Sequence, residues 1–145
     1  MDRIRGLVLV FVSMLAFGAL AADKHDHKHD EHEGSHGGVV LEIGDHVAHV
    51  EVVHDQKAGK ITLYLTDKDA KSALAIKDAP KINVKAEKGN KQIEAKAIDA
   101  KDGAASQFEA TDDVLKADPL KGRIAITINE KKYNVELKDA HDHKH

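Results

Sequence analysis

The chain has no cysteine and no tryptophan in its 145 residues, and only two methionines and two prolines. Without cysteine there is no disulfide framework, no thiol nucleophile and no thiolate metal site. Both methionines, Met1 and Met14, lie within the first 21 residues, so the remainder also lacks a thioether. Thiolate and thioether donors select Cu(I), and a sulfur-based Cu(I) carrier is therefore disfavoured. Aromatic residues are sparse, with only Tyr64, Phe108 and Tyr133 after residue 21. Basic and acidic residues are interspersed, with neither a basic stripe nor a stacking platform, so nucleic acid is not an expected partner.

The one long apolar run is at the start. Arg3 and Arg5 precede fourteen largely apolar residues, Leu7 to Leu20, and Ala19-Leu20-Ala21 ends them with small residues. This is the pattern of a secretory signal peptide over residues 1–21. The run is shorter than the roughly 20 residues a transmembrane helix needs, and no second run follows, so the processed chain is expected to be exported, periplasmic and not membrane-spanning. Asp2, Arg3 and Arg5 leave with the signal, so 20 Lys+Arg face 24 Asp+Glu, a net charge of −4.

Histidine is what the chain has in excess. The run His25-Asp26-His27-Lys28-His29 recurs letter for letter as His141-Asp142-His143-Lys144-His145. All eleven histidines fall in two places. Eight belong to the tails, counting His32 and His36, and three lie between His46 and His54. Lys, Glu or Ser would solvate a tail equally well, so this concentration of imidazole points to metal. Imidazole and carboxylate suit Zn(II), Ni(II), Co(II) and Cu(II). Residues 22–38 and 139–145 carry no hydrophobic periodicity and are expected to be disordered tails with interchangeable ligand sets.

Between them the pattern is that of strands. Val39 to Ile43, His46 to His54 and Lys60 to Thr66 alternate apolar and polar residues, joined by turns at Gly44-Asp45 and Asp55 to Gly59. Lys81 to Glu87, Lys91 to Ile98, Gln107 to Ala110, Arg123 to Ile128 and Lys132 to Leu137 continue the rhythm, with turns at Gly89-Asn90, Asp102-Gly103 and Asn129-Glu130. Thr111-Asp112-Asp113 starts a short helical turn through Leu115, and Asp67 to Asp78 is open between a turn with a short strand and one turn of helix. Seven to nine short strands in residues 39–138 predict an all-β, antiparallel β-sandwich of immunoglobulin-like size, with a small β-barrel as the alternative.

Within the second strand, period two sets His49 and Glu51 on one face with Val47 and Val53. Ala48, Val50 and Val52 take the other face, with His46 and His54 at its ends. A solvent-facing role would explain His54 at a strand end. For His49 and Glu51 a rigid ligand platform is the sharper reading, because His36 is placed to fold back over that face. The expected metal-binding residues are therefore His25, His27, His29, His32, His36, His46, His49, Glu51, His141, His143 and His145.

Three short motifs, His36-Gly37-Gly38, His49-x-Glu51-Val52 and Ile61-x-Leu63-Tyr64-Leu65-x-Asp67, resemble a small exported β-domain of bacterial heavy-metal efflux and resistance systems. That domain occurs alone or joined to efflux-adaptor proteins. The resemblance spans residues 36–70 in motif detail and implies association with metal, with His36, His49 and Glu51 as the positions to follow. The chain departs from the pattern after Asp67, where Lys68-Asp69-Ala70-Lys71 lacks the glycine usual in that turn.

The expected function is periplasmic binding and buffering of a divalent transition metal, with no organic cofactor, and handover to a metal-efflux transporter or adaptor. The alternative is a non-catalytic module that docks on an efflux adaptor, with histidine as a metal or pH switch. An enzyme is not expected, because Ser35, Ser72 and Ser106 sit in no triad context and no three-ligand site with a substrate pocket is visible. The signal itself yields a prediction. Ala19-x-Ala21 favours cleavage before Ala22, whereas cleavage before Asp23 would put His25 third and create a square-planar nitrogen site for Cu(II) or Ni(II). Intact-mass measurement of the exported protein is expected to give a chain beginning at Ala22.

Overall fold

Strands alternating Val, Ile and Leu with polar residues bury one face and solvate the other, and two such faces laid together remove both from water. The computed structural model describes residues 33–137, and among them nine strands follow this rule. These are β1 (Val39–Ile43), β2 (Ala48–Asp55), β3 (Lys60–Thr66), β4 (Lys81–Ala86), β5 (Gly89–Glu94), β6 (Lys96–Ile98), β7 (Gln107–Thr111), β8 (Gly122–Ile128) and β9 (Lys131–Leu137). They form two antiparallel sheets, ordered β1-β2-β3-β7-β6 and β5-β4-β8-β9. The sheets do not close on each other, so the architecture is a sandwich and not a barrel. Among the described residues no helix is long and apolar enough to cross a membrane.

The core lies between the sheets and is almost wholly aliphatic. Val50 and Val52 of β2, Ile61, Leu63 and Leu65 of β3, Ile82 and Val84 of β4, and Ile124 and Ile126 of β8 are fully or almost fully buried around Phe108. Each such side chain contributes about 1.5–3 kcal/mol on leaving water. Asp112 accepts a hydrogen bond from the Val114 amide at 3.0 Å, which caps a 3-10 turn over Asp113–Lys116. That turn drives Leu115 into one end of the core, where it is fully buried.

Three expectations from the sequence are corrected. β2 begins at Ala48, not His46. The β1–β2 connection takes four residues instead of two, because Gly44 and His46 both adopt left-handed φ (64° and 52°) and Val47 donates back to the Ile43 carbonyl at 3.2 Å. The stretch Lys91 to Ile98 is two strands in different sheets. Ala95 is the crossing residue, buried and bonded through its N–H to the Pro80 carbonyl at 2.9 Å. The β4–β5 turn is Glu87-Lys88, and Gly89 already pairs with Ala86. Asp67 to Asp78 holds no full strand, only the isolated bridges Thr66↔Ala73 and Ile76↔Ala105.

β1 and β9, edge strands of different sheets, run side by side. Gly44, just past the end of β1, lies against Tyr133 near the start of β9. The start of β1 and the end of β9 therefore face the same end of the sandwich.

A core of this extent is expected to fold on burial alone, unlike a zinc finger. Protein treated with a chelator is expected to keep its β-type circular dichroism and cooperative unfolding. Collapse of the spectrum on metal removal would make the metal structural.

Candidate metal-binding face

The outward faces of β1, β2 and β3 carry the chemistry. Antiparallel register sets Val40 opposite Glu51 and Glu51 opposite Tyr64, and one pair along, Glu42 opposite His49 and His49 opposite Thr66. His49 and Glu51 are thus neighbours on one face, as period two predicts, and Tyr64 is Glu51's lateral partner.

Glu51 is nevertheless buried, at 6% exposure. Its cover is the segment before β1. Residues 33–38, expected to belong to a disordered tail, instead form a short strap held by the Glu33↔Val39 bridge and by the Gly34 amide donating to the Gly38 carbonyl at 2.8 Å. The strap exists because a buried carboxylate needs donors. The amides of His36 and Gly38 donate to Glu51 Oε1 at 2.7 and 3.0 Å, and His36 Nδ1 lies 2.8 Å from Oε2. The His36 ring stacks on Tyr64 with a centroid separation of 3.6 Å and an interplanar angle of 1°. Gly34 lies so close that a Cβ there would meet the Glu51 carboxylate and displace it. Burial alone would raise the Glu51 pKa. The bonds from the His36 side chain and the Gly38 and His36 amides outweigh it and hold the carboxyl below its ordinary value of 4.5.

The other described histidines differ in setting. His49 Nδ1 lies 3.2 Å from the Asp67 carbonyl oxygen. His54 Nε2 lies 2.6 Å from the Leu115 carbonyl oxygen, so it tethers the 3-10 turn to β2. His46 is in the β1–β2 turn, where its amide donates to Glu42 Oε1 at 2.6 Å and its Nδ1 lies 3.1 Å from the same oxygen. Glu42, Asp45 and His46 offer ligand atoms all within 4.8 Å of one another, the one such trio among the described residues. It stands in open solvent, with the Asp45 side chain fully exposed.

The structure therefore brings His36, His49 and Glu51 to one sheet face and places His46 at its margin. His25, His27, His29, His32, His141, His143, His145 and the expected signal peptide lie outside the described residues. Sequence reasoning missed three contributors. Tyr64 was legible only as an outward residue of its strand. Glu42 and Asp45 were signalled only by their spacing about a turn of unknown length. Compared with known proteins, the chain matches no family model, no curated protein and no solved structure.

Because the Glu51 pKa is lowered by folding, its ionised form stabilises the fold above about 4.5 and that contribution is lost as pH falls through the folded-state value. At neutral pH, Glu51→Gln is expected to unfold at lower denaturant, by about 1–3 kcal/mol for the compromised buried bonds. The gap from the unsubstituted protein should narrow steadily below about pH 4.5. Urea titrations of both proteins between pH 3 and pH 7 check this.

Proposed function

We propose that this is an exported binding and buffering protein for divalent transition-metal ions, Zn(II), Ni(II), Co(II) or Cu(II), which passes them to a metal-efflux system. The observation that carries the reading is the distribution of histidine, with eight of eleven in two tails that share a five-residue sequence. Imidazoles on polar, charged segments make several ligand sets of similar strength, which suits capture and release better than permanent retention. The folded domain supports the reading by holding one of those eight, His36, against its surface. Ordering a tail segment around an ion costs about 1–2 kcal/mol per residue, so capture is expected to fix short loops only. The resemblance over residues 36–70 points to the same class of partner, an efflux transporter or adaptor.

Deleting residues 22–32 and 139–145 removes seven of the eleven histidines and spares every described strand. The truncated protein is expected to keep its fold and to lose most of its zinc or nickel stoichiometry in equilibrium dialysis at pH 7.5. Unchanged stoichiometry would refute buffering by the tails.

A further inference from the structure

A histidine is a metal ligand only through a nitrogen that carries a lone pair, and the partner of the other nitrogen decides which one that is. His36 Nδ1 faces Glu51 Oε2 at 2.8 Å, and His49 Nδ1 faces the Asp67 carbonyl oxygen at 3.2 Å. An ionised carboxylate and a carbonyl oxygen only accept hydrogen bonds. Both rings must therefore carry their proton on Nδ1 to make these bonds. The Ser35 hydroxyl, 3.1 Å from His36 Nδ1, can accept from the same N–H. In the neutral ring Nε2 then keeps its lone pair, and neither Nε2 has a hydrogen-bond partner among the described residues. The His36 side chain is 46% exposed, and its stacking on Tyr64 fixes the ring plane. His54 shows the opposite arrangement, since its Nε2 is spent on the Leu115 carbonyl.

We propose that the outward face of the five-stranded sheet is a preset landing surface for a divalent transition metal, with Nε2 of His36 and Nε2 of His49 as its donor atoms and Glu51 as a positioning residue. This rests on the metal-binding reading above and deepens it by assigning donor atoms. Glu51 is assigned no ligand role, because it is buried beneath the strap, with Oε1 held by two backbone amides and Oε2 facing His36. It forms a carboxylate–imidazole pair, which orients the ring and raises its basicity toward a metal. Each imidazole offers a single donor, so the surface holds an ion weakly and releases it readily, whereas a closed four-ligand structural site does not.

The substitution Glu51→Gln separates positioning from packing. The two backbone amides need an acceptor, so the side-chain amide oxygen of the variant must take the place of Oε1. Its NH₂ group then faces His36 Nδ1. That nitrogen becomes an acceptor, the ring proton moves to Nε2, and the donor atom is lost.

The test is ¹⁵N spectroscopy of the imidazoles in the full exported chain at pH 7.5, with zinc added stepwise. His36 and His49 are expected to show a protonated Nδ1 and a lone-pair Nε2, and to shift at Nε2 as zinc is added. In Glu51→Gln the His36 tautomer should invert and its zinc response should weaken about 10- to 100-fold, while the His49 and tail responses remain. If tail histidines respond and His36 and His49 do not, the landing surface is wrong and the buffering reading stands. If no histidine responds, both fall. A protonated Nε2 on His36 in the unsubstituted protein, or an unchanged His36 response in Glu51→Gln, also overturns the proposal. Should Glu51→Gln fail to fold, the tautomers and zinc responses of the unsubstituted protein decide alone.

Discussion

A carboxylate on an inner strand of a sheet can stay ionised without water only if donors surround it. Glu51 is such a group, and the arrangement outside the five-stranded sheet follows from it. Two backbone amides must come down onto Oε1, which brings the His36 to Gly38 segment over β2. The approach is close enough that a side chain at position 34 would push the carboxylate aside. Once there, the His36 ring has one flat partner within reach, Tyr64, and stacks on it. The other sheet offers a contrast. Asn83, Lys85, Arg123 and Glu136 line a groove on its outward side, where Asn83 accepts a hydrogen bond from Gln92 Nε2 at 2.8 Å and no carboxylate is buried.

The core asks little of the rest of the protein. It has no disulfide, one aromatic residue at its centre and, among the described residues, no buried side-chain polar atom lacking a partner. Valine, isoleucine and leucine on alternate positions supply both the strand preference and the burial. A rigid scaffold of this kind can hold a precise feature such as the His36–Glu51 pair.

Much of this was legible in the sequence, and the failures have physical causes. β1 and β3 have the expected bounds, and the last hairpin turns where expected, because strict alternation there ends on residues that accept left-handed φ, Asn129 at 49° and Glu130 at 65°. The shared face of His49 and Glu51 follows from period two alone, and the return of His36 over that face was readable from its place just before the first strand. The division at Ala95 was not. Alternation runs through Ile93, Ala95 and Ala97 unbroken, while the strand changes hydrogen-bonding partner from β4 to β7. Periodicity reports which way side chains point and carries no record of which neighbour lies alongside. The same blindness hid Tyr64 as the seat of the His36 ring and displaced His46 from its strand, since lateral register and loop length are properties of pairs of segments.

The adjacency of β1 and β9 has a topological consequence. Glu33 sits beside Val39 at the start of β1, and Leu137 ends β9 at that same end of the sandwich. The described chain therefore enters and leaves the sandwich at one end, and the segments that carry the two copies of His-Asp-His-Lys-His join the domain on that side.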